Sequence, residues 1–151
     1  MPREEILGLE GVGREAEGAT LLEDIAFQVR AGERLALLGA SGSGKSTLAG
    51  LVLGFIDLTD GDILFKGRSI KQMNRQERHA YQRKVQVVFQ DPYAVYNPFY
   101  RVKHIFDMVI KNYRMAASKA EAAALIEDAL NVVGMRGEEV LHKYPHQLSG
   151  G

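Results

Sequence analysis

Along this 151-residue chain the spacing of apolar positions switches between strand and helix periods. From Leu21 to Val29, Ile25, Phe27 and Val29 alternate with Ala26, Gln28 and Arg30, which predicts a half-buried strand with Ala31-Gly32-Glu33 as its turn. Arg34-Leu35-Ala36-Leu37-Leu38 is a short apolar run bounded by Gly32 and Gly39, the pattern of a strand buried on both faces. A Gly/Ser-rich stretch follows, and Lys45 to Leu53 then places Leu48, Leu51 and Val52 at helical spacing, with Gly54 as the stop. Ile63-Leu64-Phe65 and Val85-Gln86-Val87-Val88-Phe89 predict two more strands, the second closed by Asp91-Pro92, with a helix near Arg75–Arg83 between them.

After Phe99 the pattern is helical throughout. Val102–Tyr113 is one predicted helix, and a longer one opens at Ser118, where Ser-Lys-Ala-Glu forms a capping box with Glu121 reaching back. Gly134 is its predicted C-terminal stop. Ala122, Leu125, Ile126, Ala129, Val132 and Val133 form one apolar stripe suited to packing on another helix. The organisation is a mixed α/β segment over residues 1–98, then a helical segment over residues 99–147.

Composition narrows the chemistry. With 46% hydrophobic and 25% charged residues the chain is that of a globular protein large enough to bury a core. The complete absence of cysteine excludes disulfides, thiolate-bound zinc, iron–sulfur clusters and thiol nucleophiles. The apolar stretch from Leu48 to Leu58 is too short to cross a bilayer, and the charged start MPREEILGLE lacks the apolar core of a signal peptide, so a cytoplasmic location is expected. The nineteen basic and nineteen acidic residues cancel overall but are unevenly placed, with 5 basic and 11 acidic in residues 1–65, 7 and 1 in residues 66–84, and 7 and 7 in the remainder. The basic stretch carries Ile70, Met73 and Tyr81 at helix-like spacing, so it reads as a solvated helix-and-loop face, and no nucleic-acid partner is expected.

Gly39-Ala-Ser-Gly-Ser-Gly44-Lys45-Ser46 matches the phosphate-binding pattern G-x-x-x-x-G-K-[ST], in the strand–loop–helix setting that the pattern needs. Gly39, Gly42 and Gly44 let successive backbone N–H groups turn inward, with Ser41 and Ser43 between them. The helix that opens at Lys45 adds uncapped N–H donors and the positive end of its dipole. Lys45 supplies a mobile charge for β- and γ-phosphates, Ser46 a hydroxyl for the Mg²⁺ that bridges them, and Thr47 continues the first turn. A guanine-nucleotide hydrolase would also need an Asp-x-x-Gly switch and an Asn-Lys-x-Asp reader, and neither tetrapeptide occurs.

Two further motifs, Phe89-Gln90-Asp91-Pro92 and Tyr144-Pro-His-Gln-Leu-Ser-Gly-Gly151, follow the phosphate loop in order. With it they resemble the ATP-binding domain of ABC transporters over essentially the whole chain. The Asn97-Pro98 pair and the Tyr-Pro-His run are similar to the branch that imports oligopeptides, dipeptides and nickel. The resemblance implies an N-terminal antiparallel β part, the phosphate-loop half of a RecA-like P-loop NTPase core, and a helical subdomain, with residues 148–151 opening the signature sequence and the fold incomplete at its C-terminus. It implies ATP and Mg²⁺ as cofactors. Gln90 would touch Mg²⁺ and the attacking water, and Ser149, Gly150 and Gly151 would contact ATP held by a partner subunit. The implied partners are a second ATPase subunit, transmembrane permease subunits and, indirectly, an extracytoplasmic solute-binding protein, with the chain peripheral on the cytoplasmic face of the membrane.

Three departures qualify that picture. Residues 1–26 hold no Phe, Tyr or Trp to stack on adenine. The chain stops before the rest of the signature, and the Walker B Asp and Glu and the switch His of the family lie further downstream. Glu23-Asp24 and Glu127-Asp128 are not placed to replace them, and His79, His104, His142 and His146 read as surface or packing residues. Nucleotide binding without efficient hydrolysis is therefore expected, together with an apolar sheet edge that favours association. A non-catalytic nucleotide-binding or interaction remnant and a small-molecule P-loop kinase remain alternatives at this level.

Overall fold

A computed structural model of the chain describes residues 3–91 and 96–148. They fall into two compact units that divide between Val87 and Val88. The first contains β1 (Glu5–Ala16), β2 (Ala19–Arg30), α1 (Lys45–Leu53), β3 (Asp60–Phe65), β4 (Arg68–Ser69) and α2 (Arg75–Lys84). The second contains α3 (Val102–Tyr113), α4 (Lys119–Val132) and the short α5 (Gly137–Val140).

The four strands make one antiparallel sheet in the order β2-β1-β3-β4. In β2 the predicted alternation is present, with Ile25, Phe27 and Val29 half-buried between exposed neighbours. The central strand β1 has no clear signature in the sequence, because Gly8, Gly11 and Gly13 interrupt EILGLEGVGREA and the ladder slips between Leu9 and Val12. Gly11 takes φ +58°, a left-handed conformation that suits glycine at such a bulge. Leu9, Val12, Leu22, Leu48, Leu51, Ile63, Ile70 and Tyr81 form the core of this unit, joining α1 and α2 to the sheet. Each fully buried side chain contributes about 2 kcal/mol of transfer free energy.

Tyr81 shows how α2 is held. Its ring meets Phe65 edge-on at 5.1 Å, and its hydroxyl donates to the carbonyl of Val52 in α1. Burial pushes its pKa from 10.0 up to about 12, against a smaller lowering by the Arg78 guanidinium. A raised folded pKa means that this group leaves stability unchanged below about pH 10 and removes it as pH climbs from 10 towards 12. Tyr81→Phe is expected to cost about 1 kcal/mol at neutral pH, through the orphaned Val52 carbonyl, and to flatten the alkaline fall. Urea unfolding at neutral and alkaline pH checks both, and an unchanged alkaline slope contradicts the assignment.

Two predicted strands are not formed. Residues 34–38 are exposed and residues 85–89 adopt no regular structure. Residues 34–38 and 86–89 make no backbone–backbone hydrogen bonds with other described residues. A strand buried on both faces needs neighbours on both edges, and the antiparallel sheet accepts neither run. Their side chains still sample the intended environment, since Leu35, Leu37, Val85 and Val87 line an apolar cavity of about 270 Å³ against Phe27 and Val52. Leu38 and Val88 are 92% and 97% exposed. Unpaired, mostly apolar β-prone runs of this kind seed edge-to-edge pairing. Concentration-dependent association is the expected result in light scattering, reduced by Leu38→Lys with Val88→Lys, and a monodisperse monomer throughout would contradict it.

In the second unit Ile126, Leu130 and Val140 are buried, packed on by Phe106, Ile110, Leu141 and Leu148. The stripe of α4 is corrected by this packing. Ala122, Leu125 and Ile126 lie on its inner side with Leu130, whereas Ala129, Val132 and Val133 are exposed. The helix ends at Val132, and Gly134 at φ +73° reverses the chain, its N–H donating to Asn131 and that of Met135 to Leu130. Ser118 caps α4 by accepting from Glu121 N–H at 3.1 Å, but the Glu121 carboxylate accepts from Ala117 N–H at 2.7 Å, one residue earlier than the predicted box. A complete box sits on α2, where Asn74 Oδ1 accepts from Gln76 and Glu77 and the Glu77 carboxylate accepts from Asn74 N–H. No helix among the described residues is long and apolar enough to cross a membrane.

Candidate phosphate-binding site

The site grows out of the packing of α1. Leu48 and Leu51 bury one side of the helix in the core, which leaves its first turn at the end of the Gly39–Gly44 loop. Gly44 is the N-cap at φ +85°, no side chain caps the turn, and no acidic residue lies in it. The first-turn N–H groups and the positive end of the helix dipole are therefore not neutralised by the protein's own side chains.

A side chain at either of two loop glycines would force a neighbour to shift. A Cβ on Gly44 would stand 2.6 Å from Leu22 Cδ2 and 3.1 Å from the Leu21 carbonyl, so β2 backs the loop directly. A Cβ on Gly39 would stand 2.6 Å from Ser43 Oγ, filling the interior of the turn. Leu21 and Leu22 are thus supporting residues that motif reading alone missed; their only sequence signal was membership of the preceding strand.

Lys45 curls back over this loop. Its Nζ donates to the carbonyls of Gly39 at 2.9 Å and Ala40 at 2.6 Å and to Ser43 Oγ at 3.1 Å. The ammonium of this half-buried residue is thereby held at the loop mouth beside the uncapped helix turn. Neutral carbonyls are weaker partners for it than phosphate oxygens. Ser41, Gly42 and Ser43 form the exposed tip, the Ser46 hydroxyl is exposed, and Thr47 is half-buried.

Within the first unit the structure brings together residues 39–47 of the predicted site. Gln90 is exposed and belongs to the second unit. Ser149, Gly150 and Gly151, and Pro92 of the second motif, lie outside the described residues. Glu23 and Asp24 line a polar recess on the sheet with Arg14, Glu15 and Asp60, and Glu127 and Asp128 are exposed on α4. His104 stacks on Tyr100 at 4.2 Å and His146 on Tyr144 at 5.8 Å. No group of three or more His, Cys, Asp or Glu among the described residues is placed to hold a metal ion. The fit to magnesium nucleotide rests instead on the loop itself, which combines left-handed glycine backbone at Gly42 and Gly44, uncapped N–H donors, one ammonium and the exposed Ser46.

Comparison with known proteins agrees with this architecture. The family model described as ABC transporter matches residues 22–151. The chain is 40% identical over 130 residues to "Probable peptide ABC transporter ATP-binding protein y4tS" of Sinorhizobium fredii, covering 86% of this chain and 36% of that protein. It is 35% identical to "Oligopeptide transport ATP-binding protein OppF" of Bacillus subtilis, over 86% of this chain and 43% of that one. It is 36% identical to "Nickel import ATP-binding protein NikE" of Shigella flexneri, over 93% and 52%. The chain therefore spans between about a third and about half the length of these relatives. Among solved structures, cbiO1 from Clostridium perfringens, "Part of the ABC transporter complex cbiONQ", superposes with a TM-score of 0.75 at 28% identity, covering 97% of this chain and 56% of that one. The "Structure of ATP binding subunit of ABC transporter" shares the fold with a TM-score of 0.73 at 23% identity, over 95% and 56%. With the family matched across most of its length, and an α/β fold shared with ABC ATPase subunits, the chain belongs to the ABC transporter family.

Proposed function

We propose that this chain is the phosphate-binding part of an ABC importer ATPase subunit, serving uptake of peptides or nickel. The observation that carries the reading is the uncapped first turn of α1 with Lys45 Nζ held over the Gly39–Gly44 loop. Backbone N–H groups of residues 42–47 would cradle the β-phosphate, Lys45 would leave the loop carbonyls for phosphate oxygens, and Ser46 would complete the shell of a nucleotide-borne Mg²⁺. ATP supplies the phosphoanhydride whose cleavage drives transport in this family. Gln90 is proposed to orient Mg²⁺ and water, and Ser149, Gly150 and Gly151 to contact ATP held by a second ATPase subunit. Permease subunits and, through them, a solute-binding protein are the further partners, on the cytoplasmic membrane face. The peptide-or-nickel branch rests on the names of the relatives at 35–40% identity.

The 151 residues by themselves are proposed to bind nucleotide without efficient turnover. Calorimetric titration should show MgADP and MgATP binding while AMP and adenosine, lacking a β-phosphate, do not. Equal binding of adenosine and MgADP would sink the phosphate-loop reading. Steady-state phosphate release that disappears in Lys45→Ala would show turnover and contradict that part.

A further inference from the structure

The basic stretch over residues 66–84 is not used by the nucleotide site. It carries seven Lys or Arg and one acidic residue, Glu77, after a segment in which acidic residues outnumber basic ones by eleven to five. The fold sorts these charges by direction. Ile70 and Tyr81 are buried and Met73 is half-buried, so the apolar positions face the core. Arg78 is half-buried and donates to the Ile70 carbonyl at 2.9 Å. Glu77 is already engaged by Arg68 at 2.8 Å and by the Asn74 cap.

Arg75, Arg83 and Lys84 remain on the exposed arc of α2, beside Gln76, His79 and Ala80, and no carboxylate shares that arc. On that arc Arg83 points out near the middle and Arg75 and Lys84 sit at its two edges, with Arg75 and Arg83 about 12 Å apart along the axis. All three cations reach one flat surface only by bending the edge side chains toward it. Lys71, in the turn before α2, is exposed next to this run and anchored by a 2.8 Å bond to the Gly61 carbonyl. A convex face with separated cations has no fixed acceptor geometry, so it suits a flat surface whose anions are mobile.

We propose that the exposed face of α2 lies against the anionic phospholipid headgroups of the bilayer beside which the transporter works. This inference rests on the proposed membrane-face location and not on nucleotide binding. Arg75, Arg83 and Lys84 pair with headgroup phosphates. Each cation at such a surface strengthens binding about fivefold, and salt weakens it.

Flotation of the full 151-residue chain with vesicles separates lipid-bound protein, which rises, from self-associated protein, which sinks. Vesicles of equal parts phosphatidylcholine and phosphatidylglycerol should carry the chain, pure phosphatidylcholine should not, and high salt should release it. Arg75→Glu with Arg83→Glu and Lys84→Glu should lower partitioning by about a hundredfold or more. Exposed cations elsewhere, reversed as Lys111→Glu, Arg114→Glu and Lys119→Glu, should lower it much less. Should the α2 variant lose its helical circular dichroism, the milder Arg75→Gln, Arg83→Gln and Lys84→Gln set takes its place. Absence of binding to anionic vesicles, equal loss in the two variant sets, or binding only to polyglutamate or RNA would overturn the proposal. MgADP titration on the same samples reads the nucleotide site separately, so failure of one does not imply failure of the other.

Discussion

Gly61→Ala is expected to unfold the first unit or bring it close to unfolding. Gly61 sits in β3 at φ +74°, and a Cβ there would run into the backbone of Glu10 and Gly11. The opposing strand cannot retreat, because the ladder on either side pairs Glu10 with Asp62 and Gly13 with Asp60 across the β1 bulge. Two costs combine. A left-handed conformation in alanine costs about 1–2 kcal/mol, and displacing packed backbone costs about 1–3 kcal/mol more. Against a total stability of about 5–15 kcal/mol, a loss near 3–4 kcal/mol is large. In thermal unfolding it should appear as a drop of well over 10 °C at about 4 °C or more per kcal/mol. Gly18 provides the control, since it has φ +77° in the β1–β2 turn and open space around its would-be Cβ. Gly18→Ala should cost about 1 kcal/mol only. Equal losses at the two positions would show that backbone conformation alone, and not the close approach of β3 to β1, sets the requirement.

Lys45→Ala should remove about a hundredfold or more of MgADP affinity. The ammonium is the one side-chain cation bonded to the Gly39–Gly44 loop among the described residues, through Gly39, Ala40 and Ser43. Exchanging these for phosphate oxygens gives charge-assisted bonds of about 1.5–3 kcal/mol each relative to their loss, and about 2.7 kcal/mol corresponds to a hundredfold in affinity. The fold should survive, because Leu48 and Leu51 hold α1 from its other side. Lys45→Arg should not rescue, since a planar fork is too wide for a turn in which Nζ reaches its acceptors within 2.6–3.1 Å. Fluorescent-nucleotide displacement at fixed salt measures both variants. Affinity within threefold of the parent in Lys45→Ala would mean that the backbone nest and helix dipole bind without the lysine.

These two sites differ in how visible they are before folding. The phosphate loop is local: residues 39–47 are contiguous, and the glycine spacing, the lysine and the start of α1 can be read in order. Helices α1, α2 and α3 are legible for a related reason, their bounds being set by Gly54, by Asn74 with Glu77, and by local apolar spacing. The requirement at Gly61 is not legible, because it depends on Gly11, which meets it only through the bulged β1–β3 ladder. The support that Leu21 and Leu22 give to Gly44 was hidden in the same way.

Local sequence alone determined the motif, helices α1 to α4, the half-buried face of β2 and the family resemblance. Its energies there come from turns, caps and dihedral preferences among residues close in the chain. Tertiary structure decided which apolar runs become strands. Residues 34–38 and 85–89 have strand-like composition, yet a strand is stabilised by hydrogen bonds to neighbours remote in sequence, and the sheet that forms is built from β1, β2, β3 and β4 instead. It also decided which way the charges of residues 66–84 point, because burying Ile70 and Tyr81 rotates Arg75, Arg83 and Lys84 outward. Non-local pairing and the direction of burial are properties of the assembled sheet and core, and no window of sequence contains them.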